Sequence, residues 1–258
     1  MPPRKPDTRL ASTFVTIQHS KPSPSINPST NKLPEPLNVC IIGASRGIGA
    51  GIAEAYAKAL PQGSTLVLAA RKSSASKVAI VQERAKGINT GIIIHSLPID
   101  ITDNESVTHF GQDLKPLVPK LDILILNSGY SGPVVLKVTD GCPQDFQDVF
   151  DTRLVELLGE QYGREEDGGL ISVVVHPGSV LTEMADKTTP DSYRSYLTDD
   201  VGLCGAFCVW LSQERRAWLN GRLVSAKLDV DELLARKMEV EGGDLLKLGF
   251  RVDDVSSA

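Results

Sequence analysis

The clearest chemical signal in the chain is the run GASRGIG, in which Gly43, Ser45, Arg46, Gly47, Ile48 and Gly49 stand between an apolar stretch and a helical pattern. Binding a phosphate takes uncommitted N–H donors and a backbone it can approach closely. Gly43 permits a tight turn, Gly47 lets a pyrophosphate reach the backbone, and Gly49 lets the helix sit against the strand. The free N–H groups at the helix start then face the phosphates. A further cation, Arg71, closes the next apolar run, where a unit of this kind distinguishes a ribose 2′-hydroxyl from a 2′-phosphate. A carboxylate there would bind the hydroxyl and repel the phosphate. Arg71 together with Arg46 favours the phosphate, and so NADP(H). The alternative is a ligand-free glycine turn flanked by solvated charges.

These residues need a scaffold, and the patterning supplies one. Val39 to Ile42 is a short apolar run suited to a strand buried on both faces, and Ile52, Ala53, Tyr56, Ala57 and Leu60 recur at helical spacing after it. Further strands are predicted at 65–70 (TLVLAA), 91–97 (GIIIHSL), 121–126 (LDILIL), 170–175 and 220–229, with helices at 74–86, 144–162, 201–211 and 231–239. This alternation predicts a doubly wound α/β domain with a mostly parallel sheet. The length of 258 residues, with 41% hydrophobic content, suits one such domain over 36–258. Residues 1–35 are rich in Pro, Ser, Thr, Asn and Lys and read as a disordered tail, with a targeting segment as the alternative. A net charge of −5 argues against a nucleic-acid partner, and no apolar run is long enough for a membrane-spanning helix. Cys40, Cys142, Cys204 and Cys208 form no CxxC pair, which fits buried thiols in a reducing compartment, the cytoplasm, with no metal site.

The loop spacing G-x-x-x-G-x-G resembles the short-chain dehydrogenase/reductase family, and the resemblance runs, with one interruption, from about Leu37 to the C-terminus. It implies a Rossmann-like fold and a carbonyl or alcohol as a small-molecule substrate. Asp100 and Ile101 would contact the adenine. Asn127 and Gly129, in Asn-Ser-Gly where the family has Asn-Ala-Gly, would brace the central strands and pass beneath the cofactor. Pro177, Gly178, Val180 and Thr182 resemble the family's Pro-Gly loop, whose backbone and threonine hold the nicotinamide carboxamide. The stretch from Asn220 onward resembles a fungal-type subgroup.

The pattern breaks between Thr152 and Arg153. Only about fifty residues separate Asn127 from Pro177, about half the family's interval, and the missing part would carry a strand, the catalytic serine and the tyrosine–lysine pair. A lysine four residues after a tyrosine shares its helical face and lowers the phenol pKa. The residues at that spacing are Leu60, Val134, Glu166, Leu197 and Asp200, following Tyr56, Tyr130, Tyr162, Tyr193 and Tyr196. None is a lysine, and His176 with Ser172 or Ser179 makes no readable dyad. No catalytic residue is therefore assigned. The sequence leaves three readings: an NADP(H) oxidoreductase with impaired turnover, a non-catalytic NADP-binding protein, or a splice form or mispredicted frame of an active enzyme. With one strand missing, helix 144–162 is expected to carry the chain directly from strand 121–126 to a neighbouring strand 170–175. The helical face often used for homo-oligomers would lose a layer.

Overall fold

The computed structural model of the chain describes residues 14–128, 158, 161–164, 169–189 and 191–247. Strand β1 (Asn38–Ile42) lies between β2 (Thr65–Ala70) and β4 (Ile123–Leu126), and β3 (Ile93–Pro98) pairs with the far side of β2. All three pairings are parallel, with Val39 opposite both Leu66 and Ile123. Parallel neighbours need crossovers. Helix α1 (Gly47–Ala59) links β1 to β2, α2 (Ala75–Ile88) links β2 to β3, and α3 (Asn104–Leu117) links β3 to β4.

The unbroken apolar runs of β1 and β2 follow from burial on both faces, whereas β3 and β4 leave one face partly open, with Leu124 and Leu126 exposed. Val39, Ile41, Leu66 and Leu68 face a large core with α1 and α2, whereas Cys40, Ile42, Val67 and Ala69 face a smaller one closed by Phe110 of α3. Helix α3 has no counterpart among the helices expected from the sequence. It begins at Asp103, whose carboxylate accepts the Glu105 N–H and so satisfies one orphan helix donor.

Strand β5 (Val173–His176) pairs in parallel with β6 (Arg222–Ser225), forming a second, two-stranded sheet. The expectation that strands 121–126 and 170–175 are neighbours is therefore corrected: among the described residues β4 pairs only with β1, and β5 only with β6. Each strand is held from its other side. Helix α6 (Gly202–Ser212) packs on α1 and joins the C-terminal part to the helical layer of the first sheet. Two shorter helices, α4 (Glu183–Thr188) and α5 (Asp191–Arg194), precede it, and α7 (Val230–Ala235) and α8 (Lys237–Gly242) follow β6. The expected helix 144–162 lies mostly outside the described residues. No described helix is long and apolar enough to cross a membrane.

The tail predicted over 1–35 is also corrected, from residue 14 onward. Phe14, Val15, Ile26 and Leu33 are buried in the main core. Gln18 bridges Leu228, the Thr16 and Ile17 N–H groups donate to Glu232, and the Arg236 guanidinium lies 3.8 Å over the Phe14 ring. Four apolar anchors and these polar ties offset the ordering cost that composition alone suggested the segment could not meet. Residues 1–13 lie outside the described residues.

The α1–α6 contact depends on two glycines. A Cβ on Gly205 would lie 2.7 Å from the Gly51 carbonyl oxygen and 2.9 Å from Ile52 Cα, and one on Gly51 would lie 2.6 Å from the Val201 carbonyl oxygen. Backbone cannot step aside as a side chain can. Gly→Ala inside an exposed helix normally stabilises by about 0.5–1 kcal/mol. At Gly205 the sign should reverse, with a loss of about 1–3 kcal/mol from overpacking. At Gly111 of α3, where a Cβ meets nothing within 4 Å, the ordinary gain should appear. Urea unfolding of the two alanine variants checks this; a Gly205→Ala protein as stable as its parent would contradict the packing.

Candidate functional site

The glycine turn is built by steric exclusion. Gly43 has φ +90°, and a Cβ there would lie 2.8 Å from Ser128 N and 2.9 Å from Ser128 Oγ. Its N–H and that of Ala44 both donate to the Ala69 carbonyl, which ties the turn to β2. The Gly43 carbonyl accepts from Asn127 Nδ2 at 3.2 Å, and a Cβ on Gly49 would lie only 2.1 Å from that same oxygen. Asn127 also donates its backbone N–H to the Ile42 carbonyl, so it locks the ends of β1 and β4 together. Arg46 is the N-cap of α1 but makes no side-chain cap bond. The first-turn amides therefore stay open to an external acceptor.

These amides border a cleft of about 290 Å³. One wall is the turn itself: Gly43, Ser45, Arg46, Gly47 and Ile48. The second is Ala70, Arg71 and Ser74 after β2, with Ile99, Asp100, Ile101 and Thr102 after β3. The third is Asn127 and Ser128 with Thr182, Glu183 and Met184. The Asp100 carboxylate accepts from the Thr102 hydroxyl at 2.7 Å and its N–H at 3.1 Å. Those two bonds, with a smaller contribution from the Arg71 charge, hold the Asp100 carboxyl below the usual carboxylate range. Thr182 caps α4, its hydroxyl accepting the Ala185 N–H at 3.1 Å. Gly47, with φ +53°, faces it so closely that a Cβ would meet Thr182 Cγ2 at 3.2 Å. Beside that contact the Arg46 guanidinium pairs with Glu183 at 3.0 Å.

Of the residues singled out in the sequence, Gly43, Ser45, Arg46, Gly47, Ile48, Arg71, Asp100, Ile101, Asn127 and Thr182 thus share one cleft. Gly49 stands behind the turn. Pro177, Gly178 and Val180 do not line it; they form the support of Thr182. Val180 is buried, and the loop is anchored by the buried Asp199 carboxylate. That group accepts the Ser179 N–H at 2.6 Å and the Lys227 ammonium at 2.8 and 2.9 Å. Gly178, at φ +92°, passes so near it that a Cβ would lie 2.9 Å from Asp199 Oδ2. Gly129 lies outside the described residues. Sequence reasoning missed Ser74, Thr102, Ser128, Met184 and the role of Glu183. Only Thr102 carried a signal, the Asp-x-Thr spacing of a side-chain turn. Among the described residues no tyrosine lines the cleft. Tyr56 is fully buried, its hydroxyl 2.6 Å from Ser212 Oγ, and Tyr162 and Tyr196 are exposed elsewhere.

A parallel sheet flanked by helices, with a glycine turn leading into α1 at its carboxyl edge, defines the class of dinucleotide-binding α/β proteins. The comparisons narrow it: residues 37–158 match the family described as short chain dehydrogenase. Short chain dehydrogenase pgmD of Aspergillus terreus is 32% identical over 296 aligned positions, covering 91% of this chain and 93% of its own. The chain belongs to the short-chain dehydrogenase/reductase family. That alignment is longer than the 258-residue chain, so part of the relative has no counterpart here. Among solved structures, L-sorbose reductase from Gluconobacter frateurii, complexed with NADPH and L-sorbose, superposes with a TM-score of 0.59 at 16% identity, over 76% of this chain and 96% of its own. A 3-oxoacyl (acyl-carrier-protein) reductase from Agrobacterium tumefaciens C58 with NADP bound also reaches 0.59 at 16% identity, over 79% and 96%.

The buried anchor of the Thr182 loop can be tested directly. Asp199→Ala would strand the Lys227 ammonium and the Ser179 N–H, with an expected cost of about 2–3 kcal/mol. Chemical denaturation measures it; a loss below about 0.5 kcal/mol would contradict the anchoring role.

Proposed function

We propose that the chain binds NADP(H) in this cleft and is a short-chain oxidoreductase whose hydride transfer is impaired in the form given by this sequence. The observation that carries the cofactor assignment is the wall after β2. Arg71 follows Ala70 directly, and the cleft residues after β2 (Arg71 and Ser74) include no carboxylate. A guanidinium there suits a phosphomonoester and offers nothing particular to a bare ribose hydroxyl pair. The NADPH and NADP in the two superposed reductases agree with this reading.

The residues present fit the group. The uncapped first turn of α1 offers N–H donors to a pyrophosphate, and the exclusion of any Cβ at Gly43 and Gly49 keeps them presented. Arg71 would hold the 2′-phosphate, Asp100 and Ile101 the adenine, and Thr182 the carboxamide end. When bound, the nicotinamide supplies or accepts the hydride. The chain must then move a proton at the substrate oxygen, and here it falls short. No tyrosine has a lysine four residues on, and no described tyrosine lines the cleft. Asp100 is held in its ionised form by Thr102 and is a poor acid at neutral pH. The length of the alignment to the Aspergillus relative supports an internal shortening. It equally supports the reading that this is a splice form or misframed product of an active gene. Genomic sequence around the Thr152 and Arg153 codons separates the two: an in-frame skipped exon encoding Tyr-x-x-x-Lys would favour the latter.

The cytoplasm fits the cysteines. Cys40, Cys204 and Cys208 are buried and unpaired, and burial pushes the Cys40 thiol up to about 12, which leaves it unreactive.

Two measurements test the proposal. NADPH should bind more tightly than NADH, and Arg71→Ala should weaken NADPH alone by about ten- to hundredfold; equal affinities before mutation would refute the assignment. NADPH consumption over a panel of aldehydes, ketones and quinones should run at least about a thousandfold below an intact relative. Robust turnover would show that another group supplies the proton.

A further inference from the structure

Glu183 of the cleft lining gathers an ion cluster of which the cofactor reading uses only Arg46. Glu183 accepts from three cations on three elements: Arg46 of the glycine turn at 3.0 Å, Lys77 of α2 at 3.0 Å, and Lys187 of α4 at 3.0 Å. Lys187 sits one helical turn away and is an ordinary helix-surface partner. Arg46 and Lys77 are not local: they come from separate elements and each takes a different oxygen of the same carboxylate. Three positive charges around one negative charge leave the group with two positive charges in excess. That is the complement of a phosphomonoester dianion.

The geometry points to Glu183 as an internal stand-in for the cofactor's 2′-phosphate, a carboxylate that holds Arg46 and Lys77 and must be exchanged for the phosphate when NADP(H) enters. This rests on the NADP(H) reading above and deepens it. It makes Lys77 a specificity-determining residue beside Arg71, and it makes Glu183 a residue that lowers affinity for the phosphorylated cofactor. Two further features agree. The Arg46–Glu183 pair bridges the same two loops as the Gly47–Thr182 contact, so an anion placed on Arg46 meets Glu183 first. The cluster is also half-exposed, with side-chain accessibilities of 41% for Arg46, 45% for Lys77 and 43% for Glu183. Pairs this wet are individually weak, so the carboxylate is displaceable and its effect is a tuning of affinity rather than a block.

Calorimetric titration of the full chain with NADPH and with NADH, at low and at high salt, tests the exchange. Glu183→Gln should tighten NADPH about three- to tenfold and leave NADH within about twofold, with the gain shrinking as salt screens the cluster. Lys77→Met should weaken NADPH by a similar factor and spare NADH. Thermal unfolding of each variant confirms that it is folded, and the Lys77 variant carries the test should Glu183→Gln not fold. If Glu183→Gln weakens both cofactors equally, the carboxylate is a latch across the bound dinucleotide and the inference is overturned. No change in either cofactor overturns it too. Failure of the underlying cofactor reading looks different: the parent chain itself would show no preference for NADPH.

Discussion

The carbonyl oxygen of Gly43 leaves no room for a carbon atom at Gly49 and accepts a hydrogen bond from the Asn127 side chain. That three-way contact joins the end of β1, the start of α1 and the end of β4 within a few ångströms. It decides how closely α1 lies on the sheet and hence where its uncapped amides point. It also decides that β4 ends beside the glycine turn, with Ser128 filling the space a Gly43 side chain would need. A side chain at either glycine would force α1 away from the strand. The cleft would widen, and the first-turn amides of α1 would turn out of line.

The C-terminal half is held to this frame by different physics. Gly51 and Gly205 let α1 and α6 approach to backbone contact, and the Tyr56 hydroxyl reaches Ser212 across the same interface. Asp199 and Lys227 then fix the loop after β5, which presents Thr182 to Gly47. The N-terminal segment completes the arrangement by tying residues 14–18 to α7 and the Leu228 region. Strand β5 is held beside β6 by its own ladder, and β4 keeps its place through its pairing with β1 and through Asn127.

Much of this was legible because it rests on local patterns. The glycine spacing marked the turn, the two-sided apolar runs marked β1, β2 and β4, and Arg71 stood where a strand end demanded a choice between hydroxyl and phosphate. What escaped was non-local or weakly patterned. Phe14, Val15, Ile26 and Leu33 follow neither helical nor strand periodicity, and the prolines around them read as disorder. Helix α3 buries only Phe110 along its length, and Pro116 lies inside it, so its apolar face is thin. The Asp199 anchor and the Glu183 cluster join residues far apart in sequence; no spacing rule connects Lys77 with Glu183. The expected pairing of β5 with β4 rests on a single crossover helix bridging a missing strand, whereas the described partner of β5 is β6.

Charge around the cleft is where fold and proposed function meet. Its lining carries Arg46 and Arg71, while Asp100 is turned onto Thr102 and Glu183 onto three cations. Glu183 is held down to about 2 by Lys187, Lys77 and Arg46, so it remains a carboxylate at any physiological pH. An entering dianion therefore finds two guanidinium groups and no neutral form of Glu183 to rely on. The most direct measurement of the central claim is a crystal structure of the chain grown with NADP. The account predicts the pyrophosphate against the first-turn amides of α1 and the 2′-phosphate within hydrogen-bonding distance of the Arg71 guanidinium. A dinucleotide seated elsewhere, or one whose 2′-phosphate points to solvent away from Arg71, would contradict it.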